Sequence, residues 1–276
     1  MSTDASSSRA PAPARPAPPR MWVDVGVFLA VTFLGGGLLV AVQPALGIDL
    51  VVIEIVQFAP ALGVLAVMAL HARRPREQRV VRVSVGLSRA VGTGLAVAVG
   101  VGAAVAAALA AVGAATTGRV AVISPEDLPA PVLLVVAAQF IGAAAEEVGW
   151  RCYLQPRLQG RFGLLPAAVA VGLLWGCWHV QVFAESPLYM GSFLLACVAM
   201  SVLLAVLLDG GPRGNLLVSG VFHALVNLAM LAFAADEAGA AGQAALAAVC
   251  TLAAAIALAV HRRRGTAARP GRPPRT

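Results

Sequence analysis

Lysine is missing from this chain altogether: all twenty of its basic residues are arginine. Alongside so much alanine and glycine, that absence reads as GC-rich coding and carries no function. Charge of either sign is scarce, 12% of residues against roughly 25% in an ordinary soluble domain. With 59% hydrophobic residues and a mean hydropathy of +0.85, the composition excludes a soluble globule and points to one polytopic membrane domain. Cysteine is sparse and unpatterned. Cys152, Cys177, Cys197 and Cys250 show no CxxC spacing, which argues against a disulfide framework or a structural zinc site and for small apolar packing. There is no HExxH, no evident Ser-His-Asp order, no internal repeat and no strand-like alternation of useful length. A net charge of +7 would suit nucleic acid, but the arginines sit in tails and short loops. The expected partner is therefore the lipid bilayer and not nucleic acid.

What is present is a series of long apolar runs. A helix that spans a bilayer needs ~20 apolar residues, and on that measure the fold class is all-α, with about eight transmembrane helices. The expected spans are 22–42, 50–70, 90–113, 131–150, 164–183, 190–208, 215–234 and 242–260. The fourth is expected to continue as helix through Tyr153 toward Leu158. The run from Met21 is too long for a ~7–15-residue signal-peptide core and reads as an uncleaved first span. Residues 1–20, rich in Ser, Ala, Pro and Arg, read as a disordered tail, residues 21–260 as the membrane domain, and 261–276 as a basic disordered tail. With the N-terminus placed in the cytoplasm, nineteen of the twenty arginines fall on the inner side and only Arg119 outside. That is the positive-inside pattern. It implies a multi-pass protein of the cell membrane with both termini cytoplasmic. The arginine-rich ends, Arg264 and its neighbours among them, are either orientation signals or contacts for anionic lipid.

Polar residues deep in apolar runs are few, and each costs at least ~2.5 kcal/mol there, which makes it a functional-site hypothesis. Asp24, Glu54, His71 and His261 lie near span ends and need no such reading. Glu146, His179, His223 and Asn227 lie deeper. Glu146 is followed by Glu147, and Glu147 and Arg151 are four apart, on one face of a helix in the favourable order. Glu146 lies about 140° around the helix from Arg151. One carboxylate can thus be neutralised while the other faces elsewhere. The duller alternative is a salt bridge at the membrane boundary with Glu146 in water. His179 ends the stretch Trp175-Gly-Cys-Trp-His179 and shares a face with Gly172, Trp175 and Gly176. Gly172 and Gly176 form a GxxxG pair that admits a neighbouring helix. The fourth span offers a matching face of Gln139, Gly142, Glu146 and Gly149. The midpoint between Glu146 and His179 falls at Arg161-Phe162-Gly163, so a hairpin turning there brings the two to similar depth. His223 and Asn227, four apart, share a face of the seventh span.

These groups allow two chemistries. Water held between Glu146 and His179 could be deprotonated by the carboxylate, with His223 and Asn227 donating to the oxyanion that forms on a carbonyl. Alternatively Glu146, His179 and His223 could hold a metal such as zinc, three ligands leaving an open position for water. No cofactor is certain. A different class also remains, a small transporter or a non-catalytic immunity protein, since intramembrane Glu, His and Asn also line ion pathways. The lack of an inverted repeat and of paired interrupted helices speaks against a transporter.

Three motifs in order, Glu146-Glu147-x-x-x-Arg151, Trp175-x-x-x-His179 and His223-x-x-x-Asn227, resemble those of the CAAX prenyl protease and bacteriocin-processing family, also called the Abi or type II CAAX endopeptidase family. The resemblance covers about 131–235, and each motif lies on its own apolar span. It implies an intramembrane endopeptidase acting on a membrane-associated protein or peptide. By the same resemblance Glu146 is the water-activating base, His179 helps to hold the water, and His223 with Asn227 forms the oxyanion site. Glu147 and Arg151 would be structural, with Trp175 supporting. The family more often has Phe where Trp175 stands. Members are described both as metalloproteases and as metal-free glutamate enzymes. The prenylated C-terminal peptides cleaved by eukaryotic members are not expected for a bacterial-looking chain. Peptide maturation, bacteriocin self-immunity and cleavage of a membrane-bound regulator all remain open.

Overall fold

A computed structural model describes residues 20–72, 81, 83–120, 122–210, 214–233 and 235–267. Residues 1–19 of the expected tail 1–20, residues 73–80 and 82 of the arginine-rich loop, and residues 268–276 lie outside that set. Among the described residues every regular element is helical. The helices are α1 (Arg20–Leu46), α2 (Ala59–Leu70, entered through a 3₁₀ turn at Ile55–Phe58), α3 (Arg89–Thr117) and α4 (Val132–Gly149). They continue with α5 (Gln155–Phe162), α6 (Leu164–Trp178), α7 (Pro187–Leu207), α8 (Asn215–Ala232) and α9 (Ala235–Ala267).

Each of the eight apolar runs contains helix, although the expected span 50–70 is helical only from Ile55, and the chain is an all-α, multi-pass membrane protein. Six helical stretches are long and apolar enough to cross a bilayer, while Ile55–Leu70 and Leu164–Trp178 are shorter. The shortfall in α6 corrects the expected span 164–183, because the helix ends at Trp178 and His179 leaves helical geometry (φ −78°, ψ 70°). The chain then makes a 3₁₀ turn over Val180–Ala184. It re-enters helix at Pro187 behind Ser186, whose hydroxyl accepts from Tyr189 N at 3.3 Å. Such a Ser-Pro pair sets a helix start. At the other end, α9 runs to Ala267, past residue 260, so the basic segment begins as helix.

The fourth span continues as expected, but not as uniform α-helix. Between α4 and α5 lies one π-helical turn, Trp150–Leu154. Pro156 supplies the reason. It has no N–H to bond the Cys152 carbonyl four residues back, and its ring crowds that carbonyl. Widening the preceding turn relieves the clash, and such turns recur at functional sites. Trp150, Cys152, Tyr153 and Leu154 are all fully buried, with Phe28 of α1 edge-on to Trp150 at 5.6 Å.

The glycine faces pair differently from the expectation. α4 packs chiefly on α8 and α2, and α6 on α7. A Cβ on Gly172 would lie 2.6 Å from Val198 Cα, and one on Gly176 2.8 Å from Leu194 Cδ2. The GxxxG pair therefore seats α7, not α4. Gly142 of α4 faces Gln57 in the 3₁₀ turn before α2, and Gly149 faces Pro60 at the start of α2. The two faces share spacing and small residues, and nothing in that pattern specifies which neighbour each receives. The turn at Gly163 (φ 83°) does reverse the chain where expected.

Candidate active site

Adjacent carboxylates on a helix point about 100° apart, and here that divergence separates them completely. Glu147 is fully buried. Its Oε1 accepts from Arg151 Nη1 at 3.0 Å and from His223 Nδ1 at 3.0 Å. The i, i+4 pairing with Arg151 is as expected, whereas the contact with His223 is new. It arises because α4 packs on α8. Glu146, 2% exposed, turns instead to α6, where Trp175 Nε1 donates to its Oε2 at 2.8 Å. Trp175 is thus more than packing: its N–H is spent on Glu146, and its ring carries the Arg151 guanidinium at 4.3 Å. A Phe at this position could make the second contact but not the first.

His179 sits at the end of α6, not inside the helix. Its own N–H bonds back only three residues, to Gly176 O at 3.2 Å. The Trp175 carbonyl, which an unbroken helix would have used, is met by His179 Nδ1 at 2.9 Å. A carbonyl only accepts, so Nδ1 carries the proton and Nε2 presents a lone pair. The same logic applies to His223, whose Nδ1 faces the Glu147 carboxylate. In each imidazole one backbone or carboxylate partner sets the tautomer and leaves Nε2 for other work.

The rings gather around one small cavity of about 50 Å³, lined by Trp175, His179, Phe193, Met200, His223, Asn227, Met230 and Gln243 among others. Trp175 lies 6.0 Å from the His179 ring and 5.1 Å from that of His223, both near edge-on. Glu146 meets α6 at Trp175, one helical turn before His179, so the depth inferred from the hairpin holds to within a turn. The cavity has room for water and not for a peptide residue. Gln243 of α9, 6% exposed, and Phe193 and Met200 of α7 were not anticipated. Gln243 opens the last apolar run, where a polar residue reads as the membrane edge.

Among the described residues, no three His, Cys, Asp or Glu side chains converge closely enough to hold a metal ion. Glu146, His179 and His223 are neighbours, but the Glu146 carboxylate is directed at an indole N–H. The donor set does not fit a three-ligand centre.

Comparison with known proteins adds the following. Residues 128–229 match the family described as type II CAAX prenyl endopeptidase Rce1-like. A CAAX prenyl protease 2 from Methanococcus maripaludis is 29% identical over 116 residues, 38% of this chain and 41% of that protein. A lysostaphin resistance protein A from Staphylococcus haemolyticus is 23% identical over 118 residues, 43% of this chain and 32% of that one. The chain thus spans less than half the length of either relative.

Proposed function

We propose, from the match of residues 128–229 to the Rce1-like family of type II CAAX prenyl endopeptidases, that the chain is an intramembrane endopeptidase with Glu146 as general base. The observation that carries the assignment of roles is the division of the two carboxylates. Glu147 is committed to Arg151 and His223, while Glu146 is held by a single indole N–H, that of Trp175, whose side chain lines the cavity. A carboxylate has about four acceptor sites, so that bond leaves Glu146 able to take a proton.

In this reading a water sits between Glu146 and the His179 Nε2 lone pair. Glu146 removes one proton as the water oxygen attacks the peptide carbonyl carbon. The carbonyl oxygen becomes an oxyanion beside His223 and Asn227. Asn227 donates through its amide. His223 donates through Nε2 when both ring nitrogens are protonated, and the Glu147 carboxylate on Nδ1 is the counter-charge for that imidazolium. As the tetrahedral carbon collapses, its bond to nitrogen breaks. Glu146 returns the proton to the leaving amine, and a carboxylic acid and an amine result. Donors fixed in a dry site serve the oxyanion without reorganising. No step is routed through a metal.

The proposed substrate is a membrane-associated protein or peptide. It reaches the cavity by displacing the side chains that now fill it, and Met200 and Met230, unbranched and flexible, are suited to yield. With the arginine distribution as guide, both termini lie in the cytoplasm. The test is Glu146→Gln, which keeps the shape and the acceptance of the Trp175 N–H but removes the base. Loss of a general base costs ~10²–10⁴-fold in rate. Glu146→Gln should insert and fold as wild type and leave uncleaved membrane proteins that comparative proteomics detects. Cleavage at the wild-type rate by monodisperse Glu146→Gln protein would refute the assignment.

A further inference from the structure

A second, larger cavity lies on the other side of Arg151. Its volume is about 430 Å³, and Arg151, Gln155, Gln159, Ala205, Asp209 and Asn215 contribute to its wall. Arg151, Gln155, Ala205 and Asn215 are buried, whereas Asp209 is exposed and Gln159 half-exposed. The chamber therefore has a closed floor and a rim at the surface, on the face where α5 and α7 end and α8 begins.

Polar groups run from that rim to the floor at one-turn intervals. Gln159 Nε2 donates to Asp209 Oδ1 at 2.9 Å, and Gln155 Nε2 to Gln159 Oε1 at 3.3 Å. Asp209 also faces His261 at 3.6 Å. Arg151 donates to Glu147, and His223 faces the same oxygen. The thread is interrupted only between Gln155 and Arg151. There Gln155 Oε1, Arg151 Nε and Arg151 Nη2 are buried without a hydrogen-bond partner. One is an acceptor and two are donors, on neighbouring turns of a helix that lines the chamber. Buried polar groups are satisfied almost without exception. Water alone, among small ligands, serves a guanidinium donor and an amide acceptor with equal ease. Each water needs only ~10–15 Å³ of such space, so the chamber holds several.

We propose that this chamber is an aqueous vestibule that holds ordered water between Arg151 and Gln155 and supplies water, past Arg151, to the smaller cavity lined by Trp175 and His179. The second part rests on the reading of the chain as a hydrolase, which consumes one water per bond cleaved in a site otherwise shut off by apolar side chains. Water passes from the vestibule to the smaller cavity at the Arg151–Trp175 contact, since Arg151 lines one space and Trp175 the other. Substrate and water then reach the chemistry from different sides.

The test has two arms on the full-length protein. In the first, Ala205→Cys and Leu204→Cys are exposed to a charged methanethiosulfonate reagent, with the four native cysteines as background. Both positions are nearly fully buried, 2% and 1% exposed, but only Ala205 lines the chamber. Thiol modification follows access of the reagent, and Ala205→Cys should react at least ~10-fold faster. Equal, background-level rates would overturn the vestibule whether or not the chain is a protease. In the second, Ala205→Leu narrows the chamber and Gln155→Leu removes its acceptor. Each should lower kcat for peptide cleavage by ~10-fold or more with KM nearly unchanged, the mark of an effect beyond substrate binding. Should Ala205→Leu fail to fold, Gln155→Leu carries this arm. Wild-type kcat in the folded variant overturns water supply. A wild-type protein that cleaves nothing overturns the protease reading instead, and the labelling arm still decides the vestibule.

Discussion

Replacing Glu147 by Gln should damage folding, and the size of the damage follows from its surroundings. Glu147 is 0% and Arg151 3% exposed, so bulk solvent screens neither charge. The Arg151 Nη1–Glu147 Oε1 distance is 3.0 Å, and His223 Nδ1 leans on the same oxygen at 3.0 Å. Glu147→Gln keeps an acceptor for both donors but leaves Arg151 as an uncompensated buried cation. Removing one partner of a buried pair costs ~3–5 kcal/mol. That is a large share of the ~5–15 kcal/mol that holds a domain folded, and about three decades in the folded fraction. Arg151→Met should cost a similar amount, by stranding the carboxylate. The double variant Glu147→Gln/Arg151→Met strands nothing and should recover most of the loss, because apolar replacement of a whole buried pair is often nearly neutral. The assay is a double-mutant cycle in detergent, scored by yield of monodisperse protein and by thermal midpoint. The expected coupling exceeds ~2 kcal/mol, at the upper end for residues in contact. Single variants as stable as wild type, or a double variant no better than the worse single, would refute the claim that the pair is a closed electrostatic unit.

Three further outcomes are expected. Trp175→Phe keeps a ring over Arg151 but deletes the 2.8 Å bond to Glu146; a hydrogen bond to a charged group is worth ~1.5–3 kcal/mol, so kcat should fall ~10–100-fold in steady-state kinetics while the protein stays folded. Gly172→Ala puts a Cβ 2.6 Å from Val198 Cα, and the forced parting of α6 from α7 should cost ~1–3 kcal/mol, read as a lower melting temperature in detergent. Reporter fusions after Leu46 and Val122 should register as external and one after Val80 as cytoplasmic; a cytoplasmic signal at Val122 would break the topology.

Much of the fold was legible because the bilayer demands long apolar runs, and each of the eight runs contains a helix, two of them shorter than expected. The Glu147–Arg151 pair was legible for a similar reason: four residues along a helix is a contact by local geometry alone. What lay hidden depends on which helix meets which. The His223–Glu147 bond joins positions 76 apart and exists only because α4 lies against α8. The GxxxG pair promised a close neighbour without naming α7, and Gly142 and Gly149 turned out to receive the 3₁₀ turn before α2 and the start of α2. His179 was placed inside a span because the run stays apolar past it. The chain leaves the helix there for a 3₁₀ turn over Val180–Ala184, and it is the break that frees the Trp175 carbonyl for the imidazole.

The π turn at Trp150–Leu154 also acts as a gear between two halves of one long helix. A π turn accommodates one residue more than the α-helix would, so the side chains beyond it are offset in phase by roughly 100°. Above the turn the helix presents Glu146 and Glu147 to the bundle. Below it, the phase in force lets Gln155 donate to Gln159 and Gln159 to Asp209, and lets Arg157 lay its guanidinium 3.8 Å over the Tyr153 ring. Shortening this segment by one residue would leave composition, hydropathy and every motif residue intact. It would nevertheless rotate Gln159 away from Asp209 and α5 out of register with α6, so the length of this stretch is constrained independently of its chemistry.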